Sequence, residues 1–185
     1  MVIDLIPNMK LPELQKQLRK QKISYLLLTN KDPNFTYFTG LKGTSFALLF
    51  IPRKGKPFLF VTSLDKEKPN SRTENVLIEK PWEENLRKKI KPKVLGFNSQ
   101  TMTVYAYKKF RKIFPNVKFK DWSNYLCCLR IEKTKQELSS PRKAAQLTVQ
   151  AFQGIVAGLK RKKFKTENDI KFYLEKFALN NNTEL

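Results

Sequence analysis

Few side chains of this sequence have the chemistry that catalysis needs. Its 185 residues include no histidine, so imidazole is excluded as a general base, as the activator of a serine or cysteine nucleophile, and as a zinc ligand. The two cysteines, Cys127 and Cys128, are adjacent, and neighbours in sequence rarely form an unstrained disulfide. We expect both thiols to be buried beside Leu126 and Leu129. This cysteine usage favours a reducing, cytoplasmic setting.

Two pairs of carboxylates lie close together in the sequence, Glu83 with Glu84 and Asp65 with Glu67. Neither pair sits in an apolar stretch that would raise a carboxyl pKa. The first pair falls in the first turn of a predicted helix, where the helix dipole stabilises anions. We therefore expect capping and solvation rather than acid–base chemistry, and we predict no catalytic and no metal-binding residue in this chain.

The net charge of +21 raises the question of a polyanion partner. Basic residues are spread over the whole sequence, which favours a solvated basic surface. The densest run is Lys160, Arg161, Lys162 and Lys163, between two predicted helices. A polyanion-binding site on that run, with non-specific nucleic acid as its partner, stays open as the alternative. The first ten residues lack a secretory-signal pattern, and the longest apolar run is too short to span a membrane, so no membrane partner is expected.

The elements that would position these residues follow from the hydrophobic pattern. Up to about residue 122, apolar runs of strand length alternate with helices of about ten residues, which is typical of an α/β fold. The predicted strands are residues 23–28, 45–51, 57–61, 75–79, 93–97 and 116–120. We predict a mixed sheet of about six strands flanked by helices.

Beyond residue 122 every segment has helical periodicity. Ser140 is a good N-cap with Pro141 at the first helical position. Thr166 and Asp169 resemble a capping box that starts a further helix. An apolar stripe runs along the first of these helices at Ala145, Thr148, Phe152, Ile155 and Leu159. Because amphipathic helices need a surface to cover, we expect a second, incomplete domain over residues 123–185.

Three motifs then resemble one enzyme family. The sequence RIEKTKQEL at 130–138, followed by RKAA at 142–145, resembles an interdomain segment with Arg, Lys and Glu at fixed spacing. KTE at 165–167 is similar to a Gly-Thr-Glu helix start. NFTYFTG at 34–40 is similar to an Asn-x-x-Tyr-Leu-Thr-Gly motif. All three are motifs of the prolidase and aminopeptidase P family, and they occur in the family's order.

The resemblance implies a creatinase-like N-terminal α/β domain over residues 1–122. It also implies that residues 123–185 are the interdomain joint and the first helices of a truncated pita-bread peptidase domain. The family's two divalent metals are held by two Asp, one His and two Glu, all expected beyond residue 185. This chain is then the non-catalytic half, truncated or from a split gene, of an Xaa-Pro metallopeptidase. Its partner is the catalytic half, in a homo- or hetero-oligomer.

The alternative function is a catalytically inactive pseudopeptidase that binds nucleic acid or another polyanion. For the first function, the resemblance implies four residues adjacent to a substrate site: Asn34, Tyr37, Thr39 and Trp82. A structural interpretation competes with it. In that interpretation Tyr37 and Phe38 are core aromatics, Gly40 ends a helix, and Trp82 packs its own helix onto the sheet.

Overall fold

The chain forms two units, residues 1–132 and 133–185, in a computed structural model that describes residues 10–65, 73–78 and 81–183. The helices of the first unit are α1 (Leu11–Lys20), α2 (Pro33–Thr39), α3 (Trp82–Lys89), α4 (Val104–Ile113) and α5 (Ser123–Ile131). Its strands are β1 (Tyr25–Thr29), β2 (Ala47–Pro52), β3 (Phe58–Val61), β4 (Glu74–Leu77), β5 (Val94–Phe97) and β6 (Lys118–Asp121). The predicted mixed sheet with flanking helices is confirmed. Residue 79, the end of the predicted fourth strand, lies outside the described residues.

The sheet has the strand order β4-β3-β2-β1-β5-β6. Only β2 runs antiparallel to its neighbours, while β3–β4, β1–β5 and β5–β6 pair in parallel. The carboxyl ends of the five parallel strands therefore share one edge of the sheet, and their amino ends share the other. We call these the carboxyl edge and the amino edge.

Both faces of the sheet are buried, each beneath its own helices. Phe35 of α2 and Leu126 of α5 belong to the first core, and Phe110 of α4 belongs to the second. Along β1, Leu26 and Leu28 enter the first core, while Leu27 enters the second. This burial on both faces explains why β1 is a continuous apolar run rather than an alternating one.

Helix α5 belongs to the first unit. Leu126 and Leu129 join the first core, and Lys10 Nζ donates to the backbone carbonyl oxygens of Leu129, at 2.6 Å, and Glu132. The two units accordingly divide after residue 132, whereas the sequence pattern predicts a division after residue 122. The expectation that Cys127 and Cys128 are buried is wrong, because they lie on the exposed side of this helix.

The second unit consists of α6 (Lys135–Lys160) and α7 (Glu167–Asn180). The prediction that Ser140 caps the first of these helices is wrong. Thr134 is the N-cap: its hydroxyl accepts from Glu137 N at 3.1 Å, and the Glu137 carboxylate accepts from Thr134 N at 2.8 Å. This capping box satisfies two donors at the helix start, and Pro141 lies within the helix. The predicted capping box of Thr166 and Asp169 is confirmed.

Two glycines of α6 allow aromatic side chains to approach it closely. A Cβ atom at Gly154 would overlap the Tyr173 ring, and one at Gly158 would overlap the Phe164 ring. The close approach of these two aromatic side chains to α6 therefore requires that both positions lack a side chain. Among the described residues, no helix is both long enough and apolar enough to cross a membrane.

Candidate functional site

A pocket of about 220 Å³ lies at the carboxyl edge, beside the end of β1. Its polar lining includes Asn30 and Lys31, which follow β1, and Thr101 and Thr103, which lie between β5 and α4. The connections that leave these adjacent parallel strands run to opposite faces, since α2 packs on the first core and α4 on the second. In open α/β sheets, ligands bind in the crevice at such a reversal.

Trp82, the first residue of α3, forms an aromatic wall of this pocket. Its ring meets the Phe46 ring edge to face, with centroids 5.8 Å apart. Lys109 Nζ lies 4.6 Å from the Trp82 ring centroid and 3.5 Å from a carboxylate oxygen of Glu83. The lining thus combines apolar surface with the ammonium groups of Lys31 and Lys109. It suits a small ligand with an apolar body and a polar or anionic end.

A buried carboxylate joins the two loops at this edge. Asp32 is 2% exposed and caps α2. One of its oxygens accepts from the backbone N of Asn34 at 2.8 Å and from Asn34 Nδ2 at 2.7 Å. The other accepts from Asn98 Nδ2 at 2.8 Å and from Thr101 Oγ1 at 2.7 Å. The first two hydrogen bonds cap α2, and the last two fix the loop after β1 to the loop after β5.

Three of the four residues expected near a substrate site lie on α2. Asn34 is buried against Asp32, and Thr39 is buried with its hydroxyl donating to Phe35 O at 2.7 Å. Tyr37 is half-buried and packs against the first core. Of the four, only Trp82 lines the carboxyl-edge pocket. The structure therefore does not bring Trp82 together with the other three in this pocket.

The structural interpretation of α2 and Trp82 fits the geometry. Gly40 ends α2 with a φ of 73°, a left-handed conformation that glycine adopts without strain. Trp82 packs partly against the second core. A role for Asn34, Tyr37, Thr39 or Trp82 beside a substrate site stays a prediction.

A second polar cluster at the carboxyl edge holds the end of β6. Asp121 accepts from Ser99 Oγ at 2.8 Å, from Ser99 N at 3.2 Å, from Ser123 N at 3.1 Å and from Ser123 Oγ. Burial alone would raise the Asp121 pKa, but the hydrogen bonds from Ser123 and Ser99 outweigh it, and the pKa lies below its ordinary value. The ionised carboxylate anchors the start of α5 to the loop after β5.

Three of the four carboxylates that are paired in the sequence lie within the described residues, and each has a local structural role. Glu83 and Glu84 lie in the first turn of α3, as predicted. The expectation that Asp65 is solvated is wrong, because it is 4% exposed and accepts from Ser45 N at 3.0 Å and Ser45 Oγ at 2.9 Å. Its sequence neighbour Glu67 lies outside the described residues. Within the described ranges, no three His, Cys, Asp or Glu side chains cluster closely enough to hold a metal ion.

The basic run Lys160, Arg161, Lys162 and Lys163 forms the end of α6 and the turn that follows it. All four side chains are exposed, and Lys162 has a φ of 55°. The run is therefore a charged turn, and its role in polyanion binding stays a prediction.

Residues 10–131 match the family model of the creatinase/prolidase N-terminal domain. A comparison with curated protein sequences found no match. Solved structures share the fold. The X-Pro aminopeptidase of Thermotoga maritima aligns with a TM-score of 0.73 and 19% identity, over 90% of this chain and 48% of that one.

Two further structures show how much of each relative the chain spans. The Xaa-Pro dipeptidase of Bacillus anthracis aligns with a TM-score of 0.70 and 22% identity, over 92% of this chain and 48% of that one. The N-terminal domain of the cytoplasmic peptidase PepQ of Mycobacterium tuberculosis aligns with a TM-score of 0.55 and 18% identity, over 65% of this chain and 98% of that one. The chain thus spans a whole N-terminal domain and about half of a full-length relative.

Proposed function

Because this chain belongs to the creatinase/prolidase N-terminal domain family, we propose that it acts as the non-catalytic amino-terminal half of a prolidase-like Xaa-Pro metallopeptidase. One observation carries the proposal. The likeness to the Bacillus anthracis dipeptidase extends beyond the first unit to 92% of this chain, while it spans 48% of that enzyme. The second unit is then the start of a peptidase domain that another polypeptide segment completes.

The catalytic half would contain the chemistry. By family resemblance it holds two divalent metals on two Asp, one His and two Glu, and such metals generate the hydrolytic water and polarise the peptide carbonyl. The 185 residues of this chain include no histidine, and its described residues do not form a fitting ligand cluster. We therefore derive no metal-dependent step within this chain.

The first unit would border the substrate site through its carboxyl edge. Trp82 and Lys109 present an aromatic face and a positive charge in the pocket there. The buried Asp32 keeps the loops after β1 and β5 in place, so the pocket wall is preorganised. Asn34, Tyr37 and Thr39 would act through the position of α2 rather than through this pocket.

The second unit would dock the catalytic half through its apolar side chains. A groove of about 330 Å³ between α6 and α7 is lined by Leu147, Ala151, Phe152, Ile155, Leu174 and Phe177. Phe152 is 65% exposed and Phe172, on α7, is 66% exposed. Exposed apolar patches of this kind mark surfaces that another protein segment covers. We assign the complex to the cytoplasm, which fits the free cysteines and the relative named as a cytoplasmic peptidase.

Peptidase assays test the proposal. The purified chain should not hydrolyse glycyl-proline with manganese, cobalt or zinc above the metal-only rate. Turnover in protein proven free of host peptidase would contradict the proposal.

The docking role is tested with a catalytic half in trans, for which the pita-bread portion of the Bacillus anthracis dipeptidase is the available probe. We expect a complex in size-exclusion chromatography that Phe152→Ser weakens. The control is Lys56→Ser, because Lys56 is exposed in the first unit and lies at the amino edge, opposite the edge proposed to border the substrate site. Equal complex formation by both variants would contradict docking through α6 and α7.

A further inference from the structure

The amino edge of the sheet contains a basic groove of about 380 Å³. Its lining residues come from the start of β1, the turn between β2 and β3, and the segment before β5: Ser24, Tyr25, Pro52, Arg53, Lys54, Lys91 and Lys93. Four of these are cationic and none is acidic. These residues are far apart in the sequence, so the topology of the sheet creates the concentration of charge.

Ser24 holds the two basic segments together. Its carbonyl oxygen accepts from Arg53 N at 3.3 Å, and its hydroxyl accepts from Lys93 N at 3.1 Å and Val94 N at 3.2 Å. The backbones that carry Arg53 and Lys93 are therefore fixed on either side of one serine.

Helix α1 fixes the turn between β2 and β3. Gln15 Nε2 donates to Pro52 O at 2.9 Å and to Gly55 O at 2.8 Å, and a guanidinium N–H of Arg19 donates to Arg53 O at 2.7 Å. Because these bonds hold the turn, its cationic side chains converge on the groove without a further ordering of the backbone. Preorganisation of this kind lowers the entropic cost of binding.

The charge in the groove is not neutralised by the described part of the protein. The described ion pairs join Lys89 to Glu74, Lys109 to Glu83 and Lys171 to Glu175. None of them includes a cation of the groove. Like charges held close together repel one another, and a bound anion relieves that repulsion.

We propose that this amino-edge groove binds a run of consecutive phosphate groups, either of a free oligophosphate or of a single-stranded nucleic-acid backbone. The guanidinium of Arg53 can hold phosphate oxygens in a two-pronged contact, and the lysines add point charges around it. The groove lies at the opposite end of the strands from the carboxyl-edge pocket. The proposal is therefore independent of the peptidase function, and it assigns the site to residues other than Lys160–Lys163.

The experiment uses the full chain and measures fluorescence anisotropy of a labelled single-stranded uridine oligonucleotide over a range of salt concentrations. The groove variant carries Arg53→Gln, Lys54→Gln, Lys91→Gln and Lys93→Gln. The matched control carries Lys160→Gln, Arg161→Gln, Lys162→Gln and Lys163→Gln, so both variants lose four positive charges.

We expect the groove variant to bind about tenfold more weakly or worse, and its slope of log K against log salt to fall by about 3, or about 0.7 for each lost phosphate contact. The control variant should keep most of the affinity and most of the salt dependence of the unmodified chain. Equal weakening in the two variants would overturn the proposal, as would a larger loss in the control. It would also be overturned if the unmodified chain bound neither the oligonucleotide nor, in titration calorimetry, sodium triphosphate. Thermal unfolding should show that each variant remains folded. If the fourfold groove variant does not fold, Lys54→Gln with Lys91→Gln, both exposed, provides the same comparison against Lys160→Gln with Lys163→Gln.

A competition arm separates the two phosphate sources. Displacement of the oligonucleotide by sodium triphosphate, with the same dependence on the groove residues, assigns the site to free oligophosphates. Groove-dependent oligonucleotide binding that triphosphate does not displace assigns it to a nucleic-acid backbone.

Discussion

The two units of this chain bury their apolar residues to very different extents. The first unit covers both faces of its sheet, and core residues such as Leu26, Leu49 and Phe50 are fully buried. In the second unit, Phe152 and Phe172 are about two-thirds exposed, and Ala151 and Ala178 are the described hydrophobic residues buried there. The difference indicates that the first unit has a closed core of its own, whereas the second unit leaves much of its apolar surface exposed.

Core truncation should show the largest contrast between the units. Phe50→Ala removes a fully buried ring and leaves a cavity, so we expect it to lower the free energy of unfolding of the first unit by about 3–5 kcal/mol. Phe152→Ala should change stability by less than about 0.5 kcal/mol, because its side chain is mostly exposed. Urea unfolding followed by circular dichroism measures both. Similar losses would mean that the second unit has a core of its own.

The buried carboxylate of Asp32 should give the next largest effect on stability. Asp32→Asn keeps the shape of the side chain but replaces one of its two accepting oxygens by an NH2 donor, so two of the four hydrogen bonds are lost and we expect a loss of about 2–3 kcal/mol. The control is Glu84→Gln, exposed in the first turn of α3, with an expected change below about 0.5 kcal/mol. A stability loss for Asp32→Asn no greater than that of Glu84→Gln would show that the loops after β1 and β5 do not need this carboxylate.

A substitution in α6 should affect the second unit alone. Gly158→Ala introduces a Cβ into the space of the Phe164 ring, and such overpacking costs about 1–3 kcal/mol. This cost should exceed the gain of about 1 kcal/mol from replacing a glycine within a helix. Hydrogen exchange of α7 should become faster while exchange in β1 stays unchanged. Gln153→Ala, at an exposed position of α6, should leave both unchanged, and an equal effect of the two substitutions would disprove close packing at Gly158.

The smallest effect concerns pH and the first unit. The pKa of Asp121 in the folded protein lies below its ordinary value of 3.8, so its contribution is fully present above about pH 4 and is lost as the pH falls through the folded pKa. Because this carboxylate is largely exposed, we expect Asp121→Asn to cost less than about 1 kcal/mol at pH 7. The stability difference between pH 7 and pH 3 should be smaller in the variant than in the unmodified chain. An unchanged difference would assign the acid sensitivity to other carboxylates.

Local patterns predicted the elements of this molecule well. The central strands β1, β2 and β3 are apolar runs bounded by turn residues, and Thr166 with Asp169 is a local capping signal that the structure confirms. The competing signals near α6 were harder to rank. Ser140 followed by Pro141 is a good start in isolation, but Thr134 and Glu137 form a two-bond capping box earlier in the chain, and the helix begins there.

Features that depend on pairing between distant segments could not be predicted from the sequence. Asp32 carries a local helix-start signal, but its bonds to Asn98 and Thr101 follow from the parallel register of β1 and β5. The distribution of basic residues shows the same limit of prediction from sequence. Basic residues are evenly spread along the chain, yet the sheet gathers Arg53 and Lys93 at one edge. The spacing of residues in the sequence does not show which of them meet at the amino edge until the strand order is known.

Hydrogen exchange measured by mass spectrometry on the full chain, in a buffer in which it is a monomer, tests the difference between the two units most directly. We predict strong protection in the central strands of residues 10–131 and clearly faster exchange in α6 and α7, because few apolar side chains are buried there. Sedimentation in the same buffer establishes that the chain is a monomer. Equal and high protection in both units of that monomer would contradict the account, since the second unit would then be stable without a catalytic half.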